Sequence, residues 1–276
     1  MTQEIQETPA LSPLLQFALE LAGTAAQEII PRFQNTAVRS KADGSPVTEA
    51  DTEAERVMRE LIAMRYPTHG ILGEEADDVN PDAEYCWVLD PIDGTSAFAL
   101  GLPTFGTLIA LLRNGHPLIG VINMPALKET VYAEMGKGCF HLNRLGDLER
   151  VQVKTGANRV EDAFLSTTGL NNTDVHPKDS QHPPHMSELI RRSGRFRFVG
   201  DCVQHAWVAR GLLDGAVDPK MNPWDNAALI PCVLEAGGQI SAIDGRTDDL
   251  VNAPNLVTSS NAALHADILA VLGGKG

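Results

Sequence analysis

Two carboxylates three residues apart, Asp90 and Asp93, follow the apolar run Trp87-Val88-Leu89 in the segment Asp90-Pro91-Ile92-Asp93-Gly94-Thr95. A strand that ends in acids at a turn presents oxygen ligands together, which suits a hard divalent cation facing a phosphate. Gly94 lets the backbone come close to an anion. If Thr95 opens a short helix, its amide and that of Gly94 face a phosphate, and its hydroxyl can orient a water. Further acids stand along the chain at Asp51, Glu74, Glu75, Asp218 and Asp225, the last beside Pro223 and Trp224. Oxygen donors of this kind select magnesium or manganese, and no Cys or His spacing here fits zinc. Taken singly, each acid reads better as a helix cap or a solvated carboxylate, and Asp93-Gly94 reads equally well as a plain turn with Thr95 as an N-cap. The Asp90–Asp93 pair in its Pro-Ile setting is the unusual one.

The elements that must position these groups can be traced. Apolar residues recur at helical spacing over 11–33. Thr48 has the form of an N-cap before a helix that runs to Arg65 and stops at Pro67. Residues 40–45 read as a polar loop, 71–72 as a short strand leading into Gly73-Glu74-Glu75, and 85–89 as the next strand. Segments 106–112, 117–123 and 130–134, with turn signals at Asn114-Gly115 and Gly136-Lys137-Gly138, read as an antiparallel meander. The polar stretch 143–157 reads as a boundary. It divides the chain into an α+β half at 1–148 and an α/β half at 149–276. In the second half strands are expected at 163–166, 196–199, 216–217, 239–243 and 256–259. Helices are expected at 186–193, 203–213, 225–235 and 262–272.

The chain has 276 residues, 43% apolar but only 5% aromatic, so an aliphatic core of ample size is expected. A formal charge of −14 argues against a nucleic-acid backbone or an anionic membrane as partner. It also repels anionic substrates unless bound cations invert the sign locally. Cys86, Cys139, Cys202 and Cys232 are scattered and form no CxxC pair, which reads as free thiols in a reducing compartment. No basic n-region precedes an apolar segment at the N-terminus, and no apolar run reaches the ~20 residues of a membrane helix. A soluble, cytoplasmic protein is expected. His176, His182 and His185 sit in a Pro-rich polar loop and read as solvated, and His205 reads as a packed helix residue. Acids three apart do not fit an aspartyl-phosphate mechanism of the haloacid dehalogenase kind, and a Walker loop is absent.

Gly73-Glu74-Glu75, Asp90-Pro91-Ile92-Asp93-Gly94-Thr95, Trp224-Asp225 with Ala227-Ala228, and Glu235-Ala236-Gly237-Gly238 together resemble the inositol monophosphatase family. Lys41-Ala42-Asp43-Gly44-Ser45-Pro46-Val47-Thr48 with Asp51, Gly106-Thr107-Leu108-Ile109-Ala110-Leu111 and Gly200-Asp201-Cys202 are similar to its histidinol-phosphate phosphatase branch. The resemblance implies an α/β protein with the layered αβαβα sugar-phosphatase fold and a site between the halves. It implies a hydrolase of a small phosphorylated metabolite. Histidinol phosphate, in histidine biosynthesis, is favoured. Inositol 1-phosphate or a broader range of sugar and polyol phosphates is the alternative, and a non-catalytic binder of phosphorylated ligands a further one.

By the same resemblance Glu74, Asp90 and the Ile92 carbonyl hold one magnesium, and Asp90, Asp93 and Asp225 a second. A third, weaker ion lies near Glu74, and manganese is an alternative metal. Asp51 accepts from Thr95, and Thr95 with Glu74 orients the attacking water, with no phosphoenzyme. Gly94 and Thr95 bind the phosphate. Asp93, Arg197, Gly200, Asp201, Cys202, Asp218 and Asp225 line the substrate pocket, Asp201 and Asp218 on the side of an amine. Relatives usually carry Glu at the position of Asp218, and the histidinol-phosphate branch often has Arg where this chain has Ser96. A homodimer and inhibition by lithium are also implied.

Overall fold

The computed structural model describes residues 11–41, 44, 46–178 and 182–274. Helix α1 (Pro13–Ile29) starts where Ser12 accepts from the Leu15 amide with Pro13 in the first turn. It buries Leu15, Phe17, Ala18, Leu21, Ala22, Ala25 and Ile29, the expected three-and-four spacing. Strands β1 (Val38–Ser40) and β2 (Pro46–Thr48) pair antiparallel on either side of the expected 40–45 loop, of which Ala42, Asp43 and Ser45 lie outside the described residues. Helix α2 (Glu49–Arg65) is closed at its start by a capping box, Thr48 with Asp51.

The next strands are β3 (Gly70–Gly73) and β4 (Tyr85–Asp93), followed by the short helix α3 (Thr95–Leu100). The meander is β5 (Gly106–Arg113), β6 (His116–Met124), β7 (Glu129–Glu134), β8 (Gly138–Leu142) and β9 (Leu148–Val151). These seven strands form one sheet in chain order, antiparallel except for β3 on β4. Strands β8 and β9 extend the meander beyond the three strands expected, and β9 lies within the polar stretch 143–157. Glycines open β8, and the exposed Leu148, Glu149 and Arg150 of the edge strand hide its period. A division at 148/149 falls inside β9.

The rest of the chain supplies β10 (Phe164–Thr167), α4 (Met186–Arg192), β11 (Arg195–Arg197), α5 (Asp201–Ala209), β12 (Gly215–Asp218), α6 (Pro223–Asn226), α7 (Leu229–Glu235), β13 (Gln239–Ser241), β14 (Leu256–Ser259) and α8 (Ala262–Leu272). The second sheet has the order β11-β10-β12-β14-β13. The helix expected over 225–235 is two helices. Pro231 has no amide and its ring crowds the carbonyl of Ala227, so the chain breaks there.

Alternation along β4 and β5 fills both sides of the large sheet. Trp87, Leu89, Ile109 and Leu111 pack with α1 and α2. Cys86, Val88, Leu108 and Ala110 pack with α5 to α7. The other side of the small sheet, through Leu165, Val217 and Val257, packs on α4 and α8. The layers are therefore α, β, α, β, α. Gly120 on β6 is where the middle layer comes closest: a Cβ there would lie 2.2 Å from the Ala228 carbonyl oxygen.

Candidate metal and phosphate site

Strand β4 continues past Leu89 and carries the acids itself. Its pairing with β5 slips between Asp90 and Asp93, so that Asp90 faces Leu108 and Asp93 faces Gly106. This bulge re-aims the two carboxylates. Asp225 arrives from the other half on α6, where Asn222 caps the helix: the Asn222 amide (2.7 Å) and side-chain nitrogen (3.1 Å) donate to Asp225 Oδ2. Oxygens of Asp90, Asp93 and Asp225 lie within 4.8 Å of one another. Asp90 Oδ1 is buried with no hydrogen-bond partner.

Burial, then Glu74 and Asp93, raises Asp90 well above the usual carboxylate range. Burial, then Asp201 and Asp225, does the same for Asp93. Burial is again the first cause at Asp225, lifted to about 7. Converging acids that resist ionising together, with one oxygen left without a donor, fit a hard divalent cation.

Thr95 begins α3 immediately after Gly94, whose φ is +92°. A side chain at Gly94 would be strained, and its Cβ would lie 2.8 Å from Asp201 Oδ2. The Thr95 hydroxyl lies 3.1 Å from Asp51 Oδ1 and 3.0 Å from the Ile92 carbonyl. Asp51 is fully buried, and its other oxygen accepts from the Thr48 amide (2.8 Å) and hydroxyl. Burial raises its pKa, and the Thr48 and Thr95 hydrogen bonds oppose that.

Glu74 stands outside the three-acid cluster. Its Oε1 meets Lys41 Nζ at 2.8 Å, and Glu75 Oε1 meets the same ammonium at 2.9 Å. Burial would lower Lys41, but the two glutamates raise it. Glu55 is a residue that sequence reasoning missed. Buried on α2 beside Arg59 (2.8 Å), it accepts from the Glu75 and Ala76 amides and so fixes the turn that carries Glu74. Its position on an otherwise charged helix gave no spacing signal.

Asp93, Asp201, Cys202, Asp218 and Asp225 line a cavity of about 230 Å³, with Thr168, Gly169, Asn171 and Pro219–Met221 completing the wall. The Asp93 carboxylate accepts from the Cys202 amide, tying the two halves together. Asp201, at φ +51°, donates its amide to Thr168 Oγ1 (2.7 Å), and burial followed by Asp218 and Asp225 raises its carboxyl to about 7. Asp218 is buried and engaged: Gln204 Nε2 (2.7 Å) and His205 Nε2 (2.8 Å) meet one oxygen, and the Thr168 amide (3.2 Å) the other. Gly200 is the buried residue before α5 and does not line the cavity. Arg197 is exposed on the edge strand β11, bonded to the Phe196 carbonyl (3.0 Å), and it too is outside the lining. Burial pushes the Cys202 thiol well up, away from nucleophilic use.

Comparison with known proteins agrees with this geometry. The sequence profile of the inositol monophosphatase family matches residues 10–274. A histidinol-phosphatase of Chlorobaculum parvum is 38% identical over 265 residues, covering 95% of this chain and 98% of the relative. An inositol-1-monophosphatase of Synechocystis sp. is 35% identical, covering 95% and 91%. The structure of an IMPase from Thermotoga maritima superposes with a TM-score of 0.83 at 29% identity, covering 96% and 98%. The chain belongs to the inositol monophosphatase family and is, with it, a phosphoric monoester hydrolase.

Proposed function

We propose that the protein is a magnesium-dependent phosphomonoesterase that hydrolyses histidinol phosphate to histidinol and phosphate, a step of histidine biosynthesis, and that it acts as a homodimer. The observation that carries the catalytic part is the convergence of Asp90, Asp93 and Asp225 around an unpartnered Asp90 oxygen, beside the Thr95–Asp51 contact. Asp90, Asp93 and Asp225 would hold one magnesium, and Glu74, Asp90 and the Ile92 carbonyl another. Bound there, magnesium supplies positive charge that neutralises phosphoryl oxygens and makes water more acidic.

The chain's own groups do the rest. When Thr95 gives its hydrogen to Asp51, its oxygen is left to accept from a water and hold it in line with phosphorus. Glu74, anchored by Lys41, receives that water's other hydrogen. The Gly94 and Thr95 amides face the phosphate. The leaving alcohol lies in the cavity between Thr168, Asn171 and Asp201.

Asp201 supports the amino alcohol. It is the cavity carboxylate held neither in the metal cluster nor, like Asp218, by side-chain donors. An ammonium beside it would restore its charge. Relatives named for histidinol phosphate and for inositol phosphate are of similar identity, and a carboxylate also accepts from hydroxyls, so inositol 1-phosphate or a wider polyol range is the second reading. The test is kcat/KM for the two substrates side by side. The account expects histidinol phosphate to lead by at least about tenfold, roughly one ion-pair contact. Equal rates, or a lead for inositol 1-phosphate, would overturn the substrate assignment and leave the hydrolase standing.

A further inference from the structure

Beyond the 230 Å³ cavity lies a larger one of about 990 Å³, and Pro219, Lys220 and Met221 line both. Lys220 is exposed and is the one Lys or Arg among the described lining residues of either cavity. The carboxylates of the larger cavity each accept a local hydrogen bond. Asp174 accepts from the Ser187 amide (2.9 Å) and hydroxyl, and Asp244 accepts from the Arg246 amide (2.9 Å). The smaller cavity therefore has Asp201 on one side and a single ammonium, Lys220, on the wall that it shares with the larger one. An alcohol that reaches from the first space into the second runs along the wall that carries that ammonium.

We propose that Lys220 is a specificity-determining residue that favours phosphomonoesters whose leaving alcohol carries a second anionic group, and disfavours alcohols that carry a cation toward the shared wall. A phosphate or carboxylate projecting past Lys220 gains a partner. A cationic alcohol is confined to the Asp201 wall. The proposal rests on the phosphomonoesterase reading and is independent of which alcohol is the natural one.

Wild type, Lys220→Ala and Lys220→Glu should be compared on histidinol phosphate (cationic alcohol), inositol 1-phosphate (neutral) and fructose 1,6-bisphosphate (anionic). Lys220 is exposed, so the fold should be little changed, and inositol 1-phosphate serves as the reference for any general loss of activity. Lys220→Glu is expected to raise the histidinol-phosphate to bisphosphate ratio of kcat/KM by about tenfold or more, the effect of reversing one charge in a partly solvated site. The change should sit in KM, with Lys220→Ala intermediate. A ratio within about twofold of wild type in Lys220→Glu would overturn the proposal. If wild type turned over none of the three, the hydrolase reading would fall separately. The same ratio would then be read from Kd by calorimetry with magnesium present, and an unchanged Kd ratio would overturn the proposal in that case too.

Discussion

Thr95 has one hydroxyl hydrogen and two acceptors within reach, Asp51 Oδ1 and the Ile92 carbonyl. The proposed mechanism uses the first arrangement, because a hydrogen given to Asp51 leaves the oxygen free to accept from a water. Thr95→Val keeps the shape and removes this choice. It is expected to lower kcat about a hundredfold, the usual loss when a proton-handling group is removed. The thermal midpoint should move only a few degrees, since one neutral hydrogen bond contributes about 1 kcal/mol. Thr95→Ser should recover most of the rate. Steady-state kinetics with melting curves check all three. An unchanged kcat in Thr95→Val would remove Thr95 from the mechanism. At this scale much was legible. Asp90, Asp93 and Thr95 announce themselves by adjacency, and Asp51 by its place three after a capping threonine. Asp225 required the family resemblance, since a carboxylate after Pro-Trp has no local signature. The engagement of Asp218 by Gln204 and His205 was hidden, because it depends on how α5 lies over β12.

Elements place these residues through two devices, the bulge in β4 and the cap of α2. Thr48 serves both fold and site. It starts α2 and holds the oxygen of Asp51 that does not face Thr95. Thr48→Ala should therefore cost about 1 kcal/mol of stability as a lost cap, measurable by denaturant unfolding, and should reduce activity as well. A loss of stability with full activity would show that Asp51 needs no such support. Gly120→Ala acts at a distance. The added methyl must push the α6–α7 junction away from β6, at a cost of about 1–3 kcal/mol by overpacking, and should weaken magnesium binding because Asp225 rides on α6. Calorimetric titration of the variant checks this.

The element pattern was readable where period and punctuation agree, as in α1, α2, β14 and α8. It was lost at β8, which follows a glycine turn, at the edge strand β9, whose residues are mostly exposed, and in the 225–235 segment. There helical periodicity runs straight through Pro231, and only the missing amide betrays the break.

For the molecule as a whole, the site joins two halves that each bring acid to it: Asp90 and Asp93 from the large sheet, Asp225 from α6 in the layer between the sheets. In a chain of net charge −14 that convergence is unfavourable until a cation binds. No helix among the described residues is long and apolar enough to cross a membrane.

The pH dependence of the metal-free protein follows. Asp201 and Asp225 are raised from 3.8 to about 7, burial being the first cause at each. The folded state therefore holds more protons than the unfolded state. This contribution is full below pH 3.8 and is lost as pH rises through 7. His265 has the opposite sign: burial lowers it from 6.5 to about 4, so its contribution is full above 6.5 and is lost as pH falls through 4. Between pH 6.5 and 8 the carboxylates alone act, and the chelated protein should melt at a lower temperature at pH 8 than at pH 6.5. Magnesium should flatten the part of the slope that comes from Asp225. At a hundred times its Kd, it should add about 2.7 kcal/mol of stability. A chelated protein equally stable at both pH values, with no magnesium shift, would mean that the acids are not a metal centre.

The most direct test is release of inorganic phosphate from histidinol phosphate and inositol 1-phosphate by wild type and Asp93→Asn, each with magnesium and after chelation. The account predicts turnover by wild type only with magnesium. Asp93→Asn should be folded by circular dichroism yet slower by about a thousandfold or more, since it loses a charged ligand at the reacting centre. Undiminished release by the chelated wild type, or by Asp93→Asn, would contradict it.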